Sequence, residues 1–369
     1  MRGEIFLLQD NNELLEMNER KYDSEDLLQS LLENYPKLLA GSQINPSNPR
    51  RWLLIRREME IPDKEQGAGR WSIDHLFLDQ DGVPTLVEVK RSSDTRTRRE
   101  VVAQMLDYAA NSIKFWEIND IISSFQDTCE QRGDDPDEFF ANFIGDSFDQ
   151  DDFWELVNAN LRQGKIRMLF VADIIPPELQ RIVEFMNEQM NPAEVIAVEV
   201  KQYTGQNLKT LVSRVVGQTM KAVDTKSIRS GKPQLLDQET IAQEKGVGDL
   251  FQYFLTIGKS LFPDYVVMPG SLSFRAKDVL GSSEIDCFNL IPRHSNSQEG
   301  LKFQAYTHVL GEYFGLDSDE IRSALPEKSD PWQHPGDEPG PKTTGFQGHF
   351  KSLKEAETFI KCLEKKRNC

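Results

Sequence analysis

The spacing of apolar positions changes period several times along the chain, and each change marks an expected element. GEIFLLQ and NELLEM alternate on either side of Asp10-Asn11-Asn12, which predicts a short hairpin. Ser24 then stands as N-cap to a helix whose stripe is Leu27, Leu28, Leu31 and Leu32, and Tyr35-Pro36 ends it. Residues 52–59, 72–78 and 85–90 read as three strands. Asp79-Gln80-Asp81-Gly82 joins the last two, and its Asp-Gly pair predicts an antiparallel hairpin. A helix over about 95–116 carries Val101, Met105, Tyr108 and Ala109 on one stripe. Residues 120–164, acidic and rich in Phe139, Phe140, Phe143, Phe153 and Trp154, read as a helical insertion. Beyond it, 166–172 is a continuous apolar strand, 176–190 an amphipathic helix with proline in its first turn, and 194–203 another strand. Such a unit predicts a parallel pair with a right-handed crossover.

The pattern then fades. Residues 223–246 are polar with Ser-Gly and Lys-Pro breaks and read as a linker. A second, smaller α+β module is expected over 247–369. Its opening helix falls at 249–261, its strands at 266–274, 286–291 and 301–306, its Pro/Gly-rich tract at 326–341 and its closing helix at 353–365. Two domains also suit a chain of 369 residues.

Composition narrows the function classes. Hydrophobic residues are 38% and charged residues 28% of the chain, the balance of an ordinary globular protein. No apolar run reaches the roughly 18 residues of a membrane span, so no membrane partner is expected. The short apolar patch Ile5–Leu8 turns acidic at once, unlike a secretory signal, and the cytoplasm is the expected compartment. Cys129, Cys287, Cys362 and Cys369 show no zinc-like spacing, and the five histidines form no evident triad. A net charge of −17 speaks against a simple nucleic-acid coat protein, so any phosphate-binding charge must be local. Arginines do gather locally, at Arg50, Arg51, Arg56 and Arg57 and at Arg91, Arg96, Arg98 and Arg99.

Between those clusters lies the one constellation with evident chemistry. Asp74 sits in the first strand of the expected hairpin, and Glu88-Val89-Lys90 ends the second, so both acids fall at the end away from the turn. Side chains two apart share a strand face, which puts the Lys90 ammonium beside Glu88 while Val89 points to the core. Two carboxylates can grip a hard divalent cation that polarises a phosphoryl oxygen and activates water, and an adjacent amine can steady developing charge.

The segment SIDHLFLDQDGVPTLVEVKRSSDTRTRREVVAQMLDYAA resembles the core of PD-(D/E)XK nucleases, in particular uncharacterised bacterial members and archaeal mismatch-type endonucleases. GKIRMLFVADIIPPELQRIVEFMNEQMNPAEVIAVEVKQY is similar to the strand–helix–strand of the same superfamily, and the likeness covers roughly residues 1–220. It implies a restriction-endonuclease-like α/β core, a mixed central sheet flanked by helices, as a first domain over 1–222. It also implies Mg²⁺ or Mn²⁺ at Asp74 and Glu88, with Lys90 acting on water. A Gln and a Tyr four residues later line such sites, matching Gln104 and Tyr108. A further acid on the first helix commonly completes them. Glu25 is the expected match in SEDLLQSLLENYPKLL, and Glu33 is its rival. Arg98 and Arg99 are candidates for phosphate contact, with a solvated helix start as the equal alternative.

Two neighbouring features read as structural. Glu199-Val200-Lys201 repeats the triplet without the hairpin, and His75 points away from Asp74. The leading expectation is a metal-dependent deoxyribonuclease, with a role in bacterial defence or repair suggested only by what such nucleases often do. The alternative is a catalytically silent sensor or interaction subunit that binds nucleic acid or a nucleotide through the C-terminal module. That module also offers a surface for a homodimer or a protein partner.

Overall fold

In a computed structural model the protein is described over residues 5–364, apart from 9–11, 13, 47, 63–68, 93–97, 145–149, 220–234, 269, 278–283, 334–339 and 342. The chain divides into two compact units, Met1–Pro136 with Phe153–Ser230, and Asp137–Asp152 with Gly231–Cys369. Asp137–Asp152, expected within the first-domain insertion, thus belongs to the second unit, where Asp152 pairs with Arg293 at 2.9 Å.

The first unit is mixed α/β. Its strands are β1 (Ile5–Leu8), β2 (Leu14–Arg20), β3 (Trp52–Pro62), β4 (Gly69–Asp79), β5 (Pro84–Lys90), β6 (Arg167–Ala172), β7 (Glu194–Gly205) and β8 (Leu208–Val216). They form one sheet in the order β1-β2-β7-β6-β5-β4-β3, with β8 also on β7. β6 and β7 run parallel and the β3–β4–β5 meander is antiparallel, as the patterns predict; β5 also lies parallel to β6, joining the two into one sheet. β6 is buried throughout, which is why RMLFVA reads as an unbroken apolar run.

The helices of this part of the chain are α1 (Glu25–Asn34), α2 (Gly41–Ile44), α3 (Arg98–Phe115), α4 (Ile118–Arg132), α5 (Pro136–Ile144), α6 (Gln150–Arg162) and α7 (Pro177–Gln189); α5 from Asp137 and the start of α6 belong to the second unit. On one face, Leu28 and Leu32 of α1 join Phe77, Val87, Val89, Leu169, Val171, Ile196 and Val198 in a single cluster. α3 and α4 lie against β3, and α7 lies against β7. Thr128 of α4 donates to the Ile55 carbonyl at 2.7 Å, and Trp116 donates to that of Glu60 at 2.8 Å.

Two features of this unit differ from expectation. The strand β8 is additional; it pairs with β7 across the two-residue loop Gln206-Asn207, with Gln206 at φ 49°. The expected turn of the first hairpin falls largely outside the described residues, while its strands pair as Ile5 with Met17 through Leu8 with Leu14.

In the second unit an antiparallel sheet has the order β13-β14-β12-β11-β10-β9. Its strands are β9 (Asp264–Val267), β10 (Leu272–Lys277), β11 (Glu284–Asn296), β12 (Gly300–Ala305), β13 (Ser329–Gln333) and β14 (Thr344–Phe350). α8 (Leu235–Glu244), α9 (Gly248–Leu261), α10 (Thr307–Phe314), α11 (Ser318–Ala324) and α12 (Leu353–Glu364) accompany it. Phe254, Phe288, Phe303, Phe350 and Phe359 form the centre of its core, with Phe303 and Phe350 4.5 Å apart between ring centroids. Part of the expected linker is therefore helical: α8 buries Gln238 and Ala242, while 223–234 lie outside the described residues. The expected strand 266–274 is two strands, turned where the Met268 amide donates to the Ser271 carbonyl at 2.8 Å. Among the described residues no helix is long and apolar enough to cross a membrane.

Candidate functional site

The β4–β5 hairpin is fixed at its turn. Gly82 takes φ 65°, and the Asp79 carboxylate accepts from the Asp81 and Val83 amides at 3.0 Å each. The other oxygen of Asp79 accepts from the fully buried Arg167 at 3.0 Å, and Arg167 also reaches Glu194 at 2.5 Å. Burial raises the Asp79 pKa, but Arg167 and Arg50 overcome it and hold the carboxyl below its ordinary value.

From that turn the ladder runs from Leu78–Pro84 to His75–Val87 and then opens. One step further, Asp74 stands across from Glu88. The Asp74 carboxylate, instead of a β4 carbonyl, accepts from the Val89 amide at 2.6 Å. Lys90 turns its ammonium onto the same face, 2.9 Å from Glu88 Oε1, 3.8 Å from Asp74 Oδ2 and 2.7 Å from the Val89 carbonyl.

α1 contributes the third acid. Ser24 caps it by accepting from the Leu27 amide at 3.0 Å, which puts Glu25 in the first turn, 3.2 Å from the Lys90 ammonium. Arg57 of β3 fastens the helix by donating to Ser30 at 3.1 Å and Gln29 at 3.0 Å, and it also pairs with Asp26. Arg91 holds the chain just before the helix, donating to the Asp23 carbonyl at 2.8 Å. Glu33 is engaged elsewhere, with Arg57 at 3.5 Å and Arg132 at 3.3 Å, so Glu25 is the acid brought to Lys90.

Burial governs the electrostatics. Glu88 is 1% exposed, and its pKa is pushed from 4.5 up to about 7 by burial and by the Asp74 charge, against the pull of Lys90. Asp74 is raised too, by burial, despite Lys90 and the Val89 amide. For Lys90 burial acts downward, yet Glu88, Asp74 and Glu25 prevail and the pKa rises. On α3, Gln104 donates to the Tyr108 hydroxyl at 2.6 Å. That hydroxyl is raised by burial, lowered by Gln104, and raised again by Glu88 and Asp74, so it lies within their electrostatic reach. Arg98 and Arg99 open α3, but their side chains lie outside the described residues.

The Lys90 ammonium at 2.9 Å is the donor that the described residues bring to the Glu88 carboxylate. Asp74, Glu88 and Glu25 surround one ammonium with oxygen donors, the donor type that hard divalent cations take. No three His, Cys, Asp or Glu among the described residues already converge as a metal-binding group.

The other candidates resolve as structure. Glu199 accepts from the Ile175 amide at 3.0 Å and pairs with Arg214 at 3.1 Å, so the second E-V-K braces a loop. His75 contacts the Gln29 carbonyl at 3.1 Å, and burial with the Arg57 charge pushes its pKa down to about 3. Three members of the first arginine cluster are neutralised within the fold, Arg50 by Asp79 and Asp81, Arg56 by Asp127 and Arg57 by Asp26. The positioning roles of Arg57 and Arg91 were not legible in sequence, because their partners lie tens of residues away. Comparison of the chain with protein-family models, curated proteins and solved structures gives no match.

Proposed function

We propose that the first unit is a metal-dependent nuclease of the PD-(D/E)XK type, with a restriction-endonuclease-like core, hydrolysing phosphodiester bonds of DNA. The supporting observation is the buried Glu88 carboxylate beside Asp74, with the Lys90 ammonium 2.9 Å from the first and 3.8 Å from the second. Asp74 and Glu88 would hold Mg²⁺ or Mn²⁺, which polarises the phosphoryl oxygen and acidifies water when bound. Glu88, raised to about 7, gives up its proton as the cation is taken, so binding and proton release are linked. Lys90 steadies the negative charge that gathers on the phosphate while water adds to phosphorus and the ester oxygen leaves. Glu25 aims Lys90, and the Gln104–Tyr108 pair borders the site.

The test is cleavage of a panel of DNA and RNA substrates with Mg²⁺ or Mn²⁺. Glu88→Ala and Lys90→Ala should each abolish turnover, and variants that cut as well as the parent would overturn the assignment. The net charge of −17 and the internally paired arginines favour a second reading, a binding-only scaffold. Mn²⁺ calorimetry separates the two, since the nuclease reading requires uptake that Asp74→Ala removes.

A further inference from the structure

Lys90 sits where β5 loses its backbone partners on one side. The ladder with β4 stops at Val87, and beyond it the Asp74 carboxylate reaches across to the Val89 amide at 2.6 Å. On the other side the parallel pairing of β5 with β6 ends at Lys90 and Ala172. After that pair the strand end is held by a side chain.

Asp173, the residue that follows β6, is 4% exposed and takes hold of Ser92 with both oxygens. Its Oδ1 accepts from the Ser92 amide at 2.6 Å and its Oδ2 from the Ser92 hydroxyl at 2.8 Å. Two bonds to one residue set its orientation as well as its place. Oδ1 also accepts from the Ile174 amide at 3.1 Å, which fixes the carboxylate against its own loop. That loop is braced from the far side, where Glu199 of β7 accepts from the Ile175 amide at 3.0 Å.

Three successive residues are therefore tied to three different parts of the unit. Lys90 meets Glu88 at 2.9 Å and Glu25 at 3.2 Å, Arg91 donates to the Asp23 carbonyl at 2.8 Å ahead of α1, and Ser92 is held by Asp173. Of the three ties, only the last takes hold of the backbone.

We propose that Asp173 is a positioning residue: through Ser92 it sets where the Lys90 ammonium stands against Glu88 and Asp74. Its effect on rate rests on the nuclease reading of that site, whereas its effect on Lys90 is read without turnover. When the Asp173 carboxylate is removed, the Ser92 amide and hydroxyl lose their acceptor, and the strand end that bears Lys90 shifts away from the acids. A displacement of about 1 Å at a reacting group costs on the order of 100-fold in rate.

The experiment uses the full chain and two readouts. Amine-selective labelling followed by mass spectrometry measures the reactivity of Lys90, with Lys201 of β7 as the control, because it too is half-buried and paired, 3.4 Å from Glu19. Cleavage of DNA with Mn²⁺ gives kcat and KM. In Asp173→Ala, labelling of Lys90 should rise several-fold over the parent with Lys201 unchanged, and kcat should fall by about 100-fold with KM retained. Ser92→Ala, which keeps the amide bond, should move both readouts the same way by less. Ser92→Thr, which keeps the hydroxyl, should return them to parent values. Lys90 labelled at the parent rate in Asp173→Ala, or in Ser92→Ala should the first variant not fold, would overturn the proposal. So would a rise shared equally by Lys201, which is general loosening, or selective labelling of Lys90 with kcat at the parent value. A parent that cleaves nothing, beside selective labelling of Lys90 in Asp173→Ala, would overturn the nuclease reading and leave Asp173 as the group that places Lys90.

Discussion

Replacing Glu88 by Gln tests the electrostatics of the site independently of turnover. The amide mimics the protonated acid, so the variant no longer carries a buried ionised carboxyl. Folding raises this pKa from 4.5 to about 7 through burial first and the Asp74 charge second. At about 1.4 kcal/mol per pH unit, keeping Glu88 ionised costs the folded chain on the order of 3 kcal/mol. The folded state holds a proton that the unfolded chain releases between those two values, so the parent loses stability as pH rises from 4.5 through 7. Glu88→Gln lacks that loss. With EDTA present at pH 8, it should be more stable by about 3 kcal/mol, roughly 6–12 °C in melting temperature for a unit of this size. At pH 4 the difference should vanish. Saturating Mn²⁺ should then restore the parent, by about 2.7 kcal/mol at a hundredfold excess over Kd, and leave the variant unchanged. Thermal and urea unfolding at the two pH values provide the measurement. A variant less stable than the parent at pH 8, or a gain of equal size at pH 4, would refute the reasoning.

Two other outcomes follow from the same geometry. Asp79→Asn leaves Arg167 buried without its full charge partner and should cost about 3–5 kcal/mol in urea unfolding. That stability belongs to the ionised carboxyl, whose pKa folding lowers, so the gap between parent and variant should close as pH falls through the folded-state value. Tyr108→Phe removes the acceptor of the Gln104 amide and should cost about 1 kcal/mol of stability, while cleavage falls by a larger factor if the hydroxyl borders the substrate.

The hairpin bearing Asp74, Glu88 and Lys90 was legible because its determinants are local. An Asp-Gly turn, a period of two and a basic residue two after an acid fix both pairing and facing. The sequence favours Glu25 over Glu33, and Glu25 is the acid that meets Lys90; the pull of Arg57 and Arg132 on Glu33 was not legible, because those partners are remote in the chain. β8 escaped notice because its turn is Gln206-Asn207 and lacks the glycine of a strong hairpin signal, while its alternation is half exposed. α8 looked like linker because only Gln238 and Ala242 are buried along it, too few to print an apolar stripe. β13 was hidden in the Pro/Gly-rich tract; it carries Pro331, which an edge strand tolerates.

The hairpin that carries the acids is bolted at its turn and parted at its mouth. Asp79, Arg167 and Glu194 anchor the closed end in the interior, whereas at the open end a carboxylate has replaced a rung of the ladder. At that end β5 keeps its pairing with β6 through Lys90 and Ala172, and the Asp74 carboxylate alone ties it to β4. Amide protons near the turn should outlast those flanking Val89 in deuterium, and a bulky guest could spread the jaws without loosening the hinge.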